Sequence, residues 1–153
     1  RLQGDWSSDV CSSDLAQSLY GESHYEVATA WHMIGRACLS DSRFSEAEVS
    51  FEKSLAVFKS LEIEGGQDEM LALKILGFCQ LRAGKNAEAE KHFRQELAIA
   101  ESLYGNAHQE VADAWNLLGQ SQLGSGNNSE AETSFRKSVD LFEGLHKIGR
   151  AHV

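Results

Sequence analysis

Tyr104-Gly105-Asn106-Ala107-His108-Gln109-Glu110-Val111-Ala112-Asp113-Ala114-Trp115-Asn116-Leu117-Leu118-Gly119 decides the fold, because much of this stretch occurs earlier in the chain. Tyr20-Gly21, His24, Ala28, Ala30 and Trp31 stand 84 residues before Tyr104-Gly105, His108, Ala112, Ala114 and Trp115. A weaker middle copy divides that offset into two steps of 42, as in Ala30, Ala72 and Ala114, or Gly35, Gly77 and Gly119. The same step links Glu46, Glu88 and Glu130, then Ala47, Ala89 and Ala131, then Phe51, Phe93 and Phe135. Three copies in register mean one supersecondary unit used repeatedly, each copy burying the apolar side of its neighbour.

Inside each unit the spacing is helical. Val27, Trp31, Ile34 and Cys38 lie on one stripe, and Ala47, Phe51, Leu55 and Phe58 on another. Between the stripes fall Ser42, Gly84, or Gly124 and Gly126, residues suited to the left-handed position that ends a helix. Acids such as Glu46 and Glu48 then open the following helix, where they complement its positive end. Ser45 with Glu48, and Ser129 with Glu132, have capping-box spacing. Helices are predicted at about 25–40, 44–61, 67–83, 86–103, 109–124 and 128–145. The small residues Gly35 and Ala47 mark where the two helices of a unit cross, and the Phe51 series is expected to fill the space between units.

Composition bounds the function. The 153 residues are 42% hydrophobic and 24% charged, ordinary for a globular protein, and contain no proline to interrupt a helix. With 23 acids against 14 bases the net charge is −9, which argues against a nucleic-acid partner. No apolar run reaches the roughly 20 residues of a membrane span. Cys11, Cys38 and Cys79 suit neither a disulfide framework nor a zinc knuckle, so a reducing, cytoplasmic setting is expected.

Both ends read as foreign. Asp9 to Leu15 can be written GAC GTG TGC TCT TCC GAT CTT; its reverse complement encodes Lys-Ile-Gly-Arg-Ala-His-Val, which is Lys147 to Val153. Residues 1–15 and 147–153 are therefore taken as sequencing-adapter sequence, which removes Trp6, Cys11 and His152 from functional argument. Residues 16–146 remain, as an internal fragment with repeats at about 25–61, 67–103 and 109–145.

The pattern Trp-x-x-Ile/Leu-Gly in the first helix and Glu-Ala-Glu-x-x-Phe in the second resembles the tetratricopeptide repeat. The 42-residue period with Tyr-Gly and His before the first helix resembles the long-repeat type of kinesin light chains and nephrocystin-like proteins. Three features depart from the pattern: Tyr25 and Gln109 stand where a proline commonly follows the histidine, Cys38, Gln80 and Gln122 replace a late aromatic, and Glu62-Ile63-Glu64-Gly65-Gly66 lacks both Tyr-Gly and histidine. The resemblance implies an all-α fold, a right-handed alpha-alpha superhelix of about three helix-turn-helix repeats. It implies a scaffold that binds a partner peptide or helix in a concave groove lined by the first helices. The alternative is a regulatory or oligomerising segment of a larger enzyme or NTPase.

First-helix positions left over from the buried stripe are assigned to the groove: Thr29, His32, Met33, Arg36 and Leu39, then Leu71, Lys74, Ile75, Phe78 and Arg82, then Asp113, Asn116, Leu117, Gln120 and Leu123. His32, Arg36, Lys74, Phe78, Arg82, Asn116 and Gln120 are the candidate binding residues. Basic donors beside apolar side chains suit a peptide with an acidic residue next to a bulky apolar one, and Asn116 suits its backbone. Lys74 and Asn116 match positions that contact ligand in the family. Self-association through uncapped ends is a further expectation.

No catalytic, cofactor or metal site is expected. His24 and His108 occupy equivalent turns and read as structural, and no His-Glu-x-x-His pair exists. Cys38 and Cys79 fall on apolar stripes, and Gly124-Ser125-Gly126 precedes no lysine-serine or lysine-threonine pair. Glu62, Glu64, Asp68 and Glu69 lack the ligand spacing of a calcium loop.

Overall fold

The computed structural model describes residues 24–61 and 65–151. Trp6, Cys11, Tyr20-Gly21, Glu62-Ile63-Glu64 and His152 lie outside the described residues. Six helices follow one another: α1 Tyr25–Ser40, α2 Phe44–Ser60, α3 Gln67–Arg82, α4 Asn86–Tyr104, α5 Gln109–Gly124 and α6 Asn128–Ala151. There is no strand among the described residues. The predicted elements are all present; α4 runs one residue further than predicted, to Tyr104, and α6 runs on to Ala151. The chain divides into two units, residues 1–64 with the α1–α2 hairpin and residues 65–153 with α3 to α6.

Each hairpin turns by the same device. Ser42, Gly84 and Gly126 take positive φ values of 59°, 77° and 84°. The following N–H groups of Arg43, Lys85 and Asn127 donate to Cys38 O, Gln80 O and Gln122 O at 2.8, 2.8 and 2.9 Å, which closes a Schellman motif at each helix end. Arg43 and Lys85 then serve directly as N-caps of α2 and α4, without a side-chain bond. The expected capping boxes do not form, because Ser45 and Ser129 lie inside their helices. Left-handed residues occur at Gly126 and not at Gly124, whose carbonyl instead receives Asn86.

The glycine–phenylalanine pairs explain why the hairpins close so tightly. A Cβ on Gly35, Gly77 or Gly119 would come within 2.7, 2.7 and 2.8 Å of the ring of Phe51, Phe93 or Phe135. The Phe series therefore packs first within its own hairpin, against the expectation that it fills space between repeats. Phe93 does both, since it also joins a cluster with Val111, Ala114 and Leu118 of α5. The buried line of α1 is Val27, Ala28, His32, Gly35 and Cys38. Trp31 and Ile34, expected on the buried stripe, are half-buried, because the small residues Ala28 and Gly35 are the ones that allow close approach.

Polar ties cross the hairpins at equivalent places. Ser54 Oγ donates to Ala28 O and Ser138 Oγ to Ala112 O, both at 2.8 Å. The buried glutamines at the late first-helix position are satisfied by the second helix: Gln80 Oε1 meets His92 Nδ1 at 2.7 Å, and Ser134 Oγ donates to Gln122 Oε1 at 2.7 Å. Lys53 and Lys137 lie over the rings of Trp31 and Trp115, each at 3.9 Å.

Candidate functional site

Within the second unit, two adjacent first helices carry corresponding rows of side chains. On α3 the row is Leu71, Lys74 and Phe78; on α5 it is Asp113, Asn116 and Gln120, each 42 residues further on. Lys74 Nζ joins the two helices, donating to Glu110 Oε2 at 3.0 Å and standing 3.9 Å from Glu96 Oε1. Gln120 Nε2 donates to Asn116 Oδ1 at 3.0 Å, which aligns the two amides along α5. Leu71 and Phe78 remain exposed on either side of Lys74, Phe78 by 41%. Arg82 is exposed at the last turn of α3.

Lys74 was expected to offer its ammonium to a partner carboxylate, and Glu110 already takes that bond. Burial, the largest effect, lowers its pKa, but the hydrogen bond to Glu110 and the charges of Glu96, Glu110 and Asp113 outweigh it and hold the ammonium above its ordinary value. On the first unit, Arg36 is exposed on α1. His32 sits differently from the outward position expected of it: it is 8% exposed and packs edge-on to Phe51 with ring centres 5.1 Å apart. Leu123 lines a groove with Phe135 and Val139 of α6 and is not part of the Asn116–Gln120 row.

Glu96 is the residue that sequence reasoning missed. It is 1% exposed, and neither carboxylate oxygen has a hydrogen-bond partner. Burial pushes its pKa up to about 8; Lys74 opposes the rise, and Glu110 and Asp113 add to it. The signal was available: Ser54, Glu96 and Ser138 share one register position, so a carboxyl stands where the other two copies carry a hydroxyl.

His24 and His108 are the N-caps of α1 and α5, their Nδ1 atoms accepting from Glu26 N at 3.3 Å and Glu110 N at 3.2 Å. His108 also stacks on Tyr104 at 4.4 Å between ring centres. Both histidines therefore do structural work, as their shared register indicated. Among the described residues, no group of three or more His, Cys, Asp or Glu is arranged to hold a metal ion. No described helix is long and apolar enough to cross a membrane.

Helical hairpins repeated at a fixed step and closed by a glycine–phenylalanine crossing define an α-helical repeat protein. The tetratricopeptide repeat model matches residues 68–144, and a second tetratricopeptide repeat model matches residues 28–60. The chain belongs to the tetratricopeptide repeat family. Its fold is shared with BtubC (BKLC) from P. vanneervenii, at 16% identity and a TM-score of 0.80 over 90% of this chain and 55% of that one. It is shared too with the nearly identical TPR-like repeats of a kinesin light chain candidate from Podosopora anserina, in a Q17M form. There the identity is 15% and the TM-score 0.74, over 88% of this chain and 64% of that one. The chain thus spans between 55% and 64% of the length of these two structures. No curated protein matches it significantly.

Proposed function

We propose that this chain is a protein-interaction scaffold that holds a partner segment against the first helices α3 and α5. Tetratricopeptide repeats in general mediate protein–protein interaction, and the observation that carries the finer reading is the paired row on these helices. Exposed Phe78 and Leu71 offer an apolar anchor on α3, and the joined amides of Asn116 and Gln120 lie across from them on α5. An apolar side chain of the partner would cover Phe78, and its backbone would bond the amides. A partner carboxylate at Lys74 would compete with Glu110, so the apolar anchor dominates and the acidic preference is secondary.

The test is selection from a random peptide library on the immobilised full chain. An enriched motif containing a bulky apolar residue is expected, with binding reduced at least tenfold by Phe78→Glu and severalfold by Asn116→Ala. Enriched peptides that bind both variants as tightly as the parent chain would place the ligand elsewhere.

A further inference from the structure

One ammonium and three carboxyl groups gather where α3, α4 and α5 meet. Lys74 of α3 bonds Glu110 of α5 at 3.0 Å and stands 3.9 Å from Glu96 of α4. Asp113 of α5 adds its charge to the same group. Lys74, Glu110 and Asp113 are half-buried, so the candidate binding face reaches them, whereas Glu96 is 1% exposed. Neither oxygen of Glu96 accepts a hydrogen bond. The charged groups that face it are Lys74 from α3, and Glu110 and Asp113 from α5. Ser54 and Ser138, its counterparts in the other repeats, each donate to a main-chain carbonyl at 2.8 Å. A hydroxyl is all that the hairpin crossing needs, so the packing of the repeat does not explain the carboxyl.

Lys74 thus has two carboxyls to serve, and the proton on Glu96 decides between them. With Glu96 protonated, Lys74 neutralises Glu110. An ionised Glu96 so deeply buried needs a counter-ion, and Lys74, on a flexible stem, is close enough to supply it. Glu110 is then left beside Asp113, three residues along the same helix, and the two like charges lack a cation. We propose that the partner supplies that cation: the α3–α5 face takes a segment with a lysine or arginine beside its apolar anchor, and binding moves Lys74 from Glu110 to Glu96 as Glu96 gives up its proton to solvent. The proposal rests on the reading of this face as the binding face, and it names the charge that accompanies the residue on Phe78. A partner acid would meet Glu110 and Asp113 as well as Lys74, whereas a base complements both acids. Linkage makes the exchange reciprocal, so the basic segment binds more tightly as pH rises towards 8 and no more tightly beyond.

The probe is a peptide enriched from a random library on the full chain, remade with lysine, glutamine or glutamate next to its bulky apolar residue. The lysine form is expected to bind at least tenfold more tightly than the glutamate form at pH 8.5. Between pH 6.5 and pH 8.5 its affinity should rise roughly tenfold, while the glutamine form stays unchanged. Calorimetry at pH 7 in buffers of different ionisation enthalpy should show about one proton released with the lysine form. Glu96→Gln should abolish both the rise and the proton release, and Glu96→Ser, the residue of the other two repeats, carries the same prediction should that variant lose helicity. Glu110→Gln should weaken the lysine form severalfold and spare the glutamine form. Equal affinity for the lysine and glutamate forms, or a rise with pH that persists without Glu96, would overturn the proposal and leave the binding face standing. Enriched peptides that bind independently of Phe78 would overturn both.

Discussion

At the scale of single residues, two kinds of position carry the account. Gly77 has Phe93 ring carbons within 2.7 Å of where a Cβ would stand, and that ring is fully buried. Gly77→Ala should therefore destabilise by about 1–3 kcal/mol in denaturant unfolding. Gly119→Ala should cost less, because Phe135 is only half-buried and has room to move. Glu96 makes stability depend on pH. Its folded pKa, about 8, lies above the ordinary 4.5, so the folded state holds a proton that the unfolded chain releases. Its contribution is fully present below pH 4.5 and is lost as pH rises towards 8, by up to about 1.4 kcal/mol per pH unit. Glu96→Gln should flatten that part of the profile and raise the unfolding midpoint at pH 8; an unchanged pH dependence would show that the carboxyl is not held protonated. The Gly–Phe register was legible because small and large residues recurred at the same step, but the sequence could not say that each pair meets inside one hairpin. Glu96 was legible only as a break in a series of serines, since its burial depends on three helices meeting around it.

At the scale of elements, positions and ends were far easier to read than faces. Helix starts and stops came from punctuation: the left-handed residues at Ser42, Gly84 and Gly126, and the equivalent turns of His24 and His108, which the structure shows to be N-caps. These predict separate energies. Ser42→Gly should stabilise by roughly 0.5 kcal/mol, because glycine takes positive φ without strain at the cost of some unfolded-state freedom. His108→Ala should destabilise by about 1 kcal/mol through loss of the cap, and His108→Asn should restore most of it. Both are read as shifts in the urea midpoint at constant slope. Faces were less legible because each residue advances about 100° round a helix, so a small error in the stripe turns a neighbour inward. His32 went to the phenylalanine and Leu123 to the α5–α6 groove for this reason. The capping boxes failed for a related one: the Schellman turn runs straight into the next helix, leaving Ser45 and Ser129 two residues past the cap position.

At the scale of the molecule, translation along the chain produces surfaces as well as core. One surface is the pair of rows on α3 and α5, where Phe78 and the Asn116–Gln120 amides lie beside the Lys74–Glu110 bridge. Another is the α5–α6 groove, whose copy one repeat earlier is filled. The two use different residues, so they should respond to different substitutions. The most direct test is an affinity measurement of a library-selected peptide on the parent, Phe78→Glu and Val139→Glu chains. The account predicts that Phe78→Glu weakens the peptide at least tenfold and that Val139→Glu leaves its affinity unchanged. A selected peptide that binds the Phe78→Glu chain as tightly as the parent would contradict it.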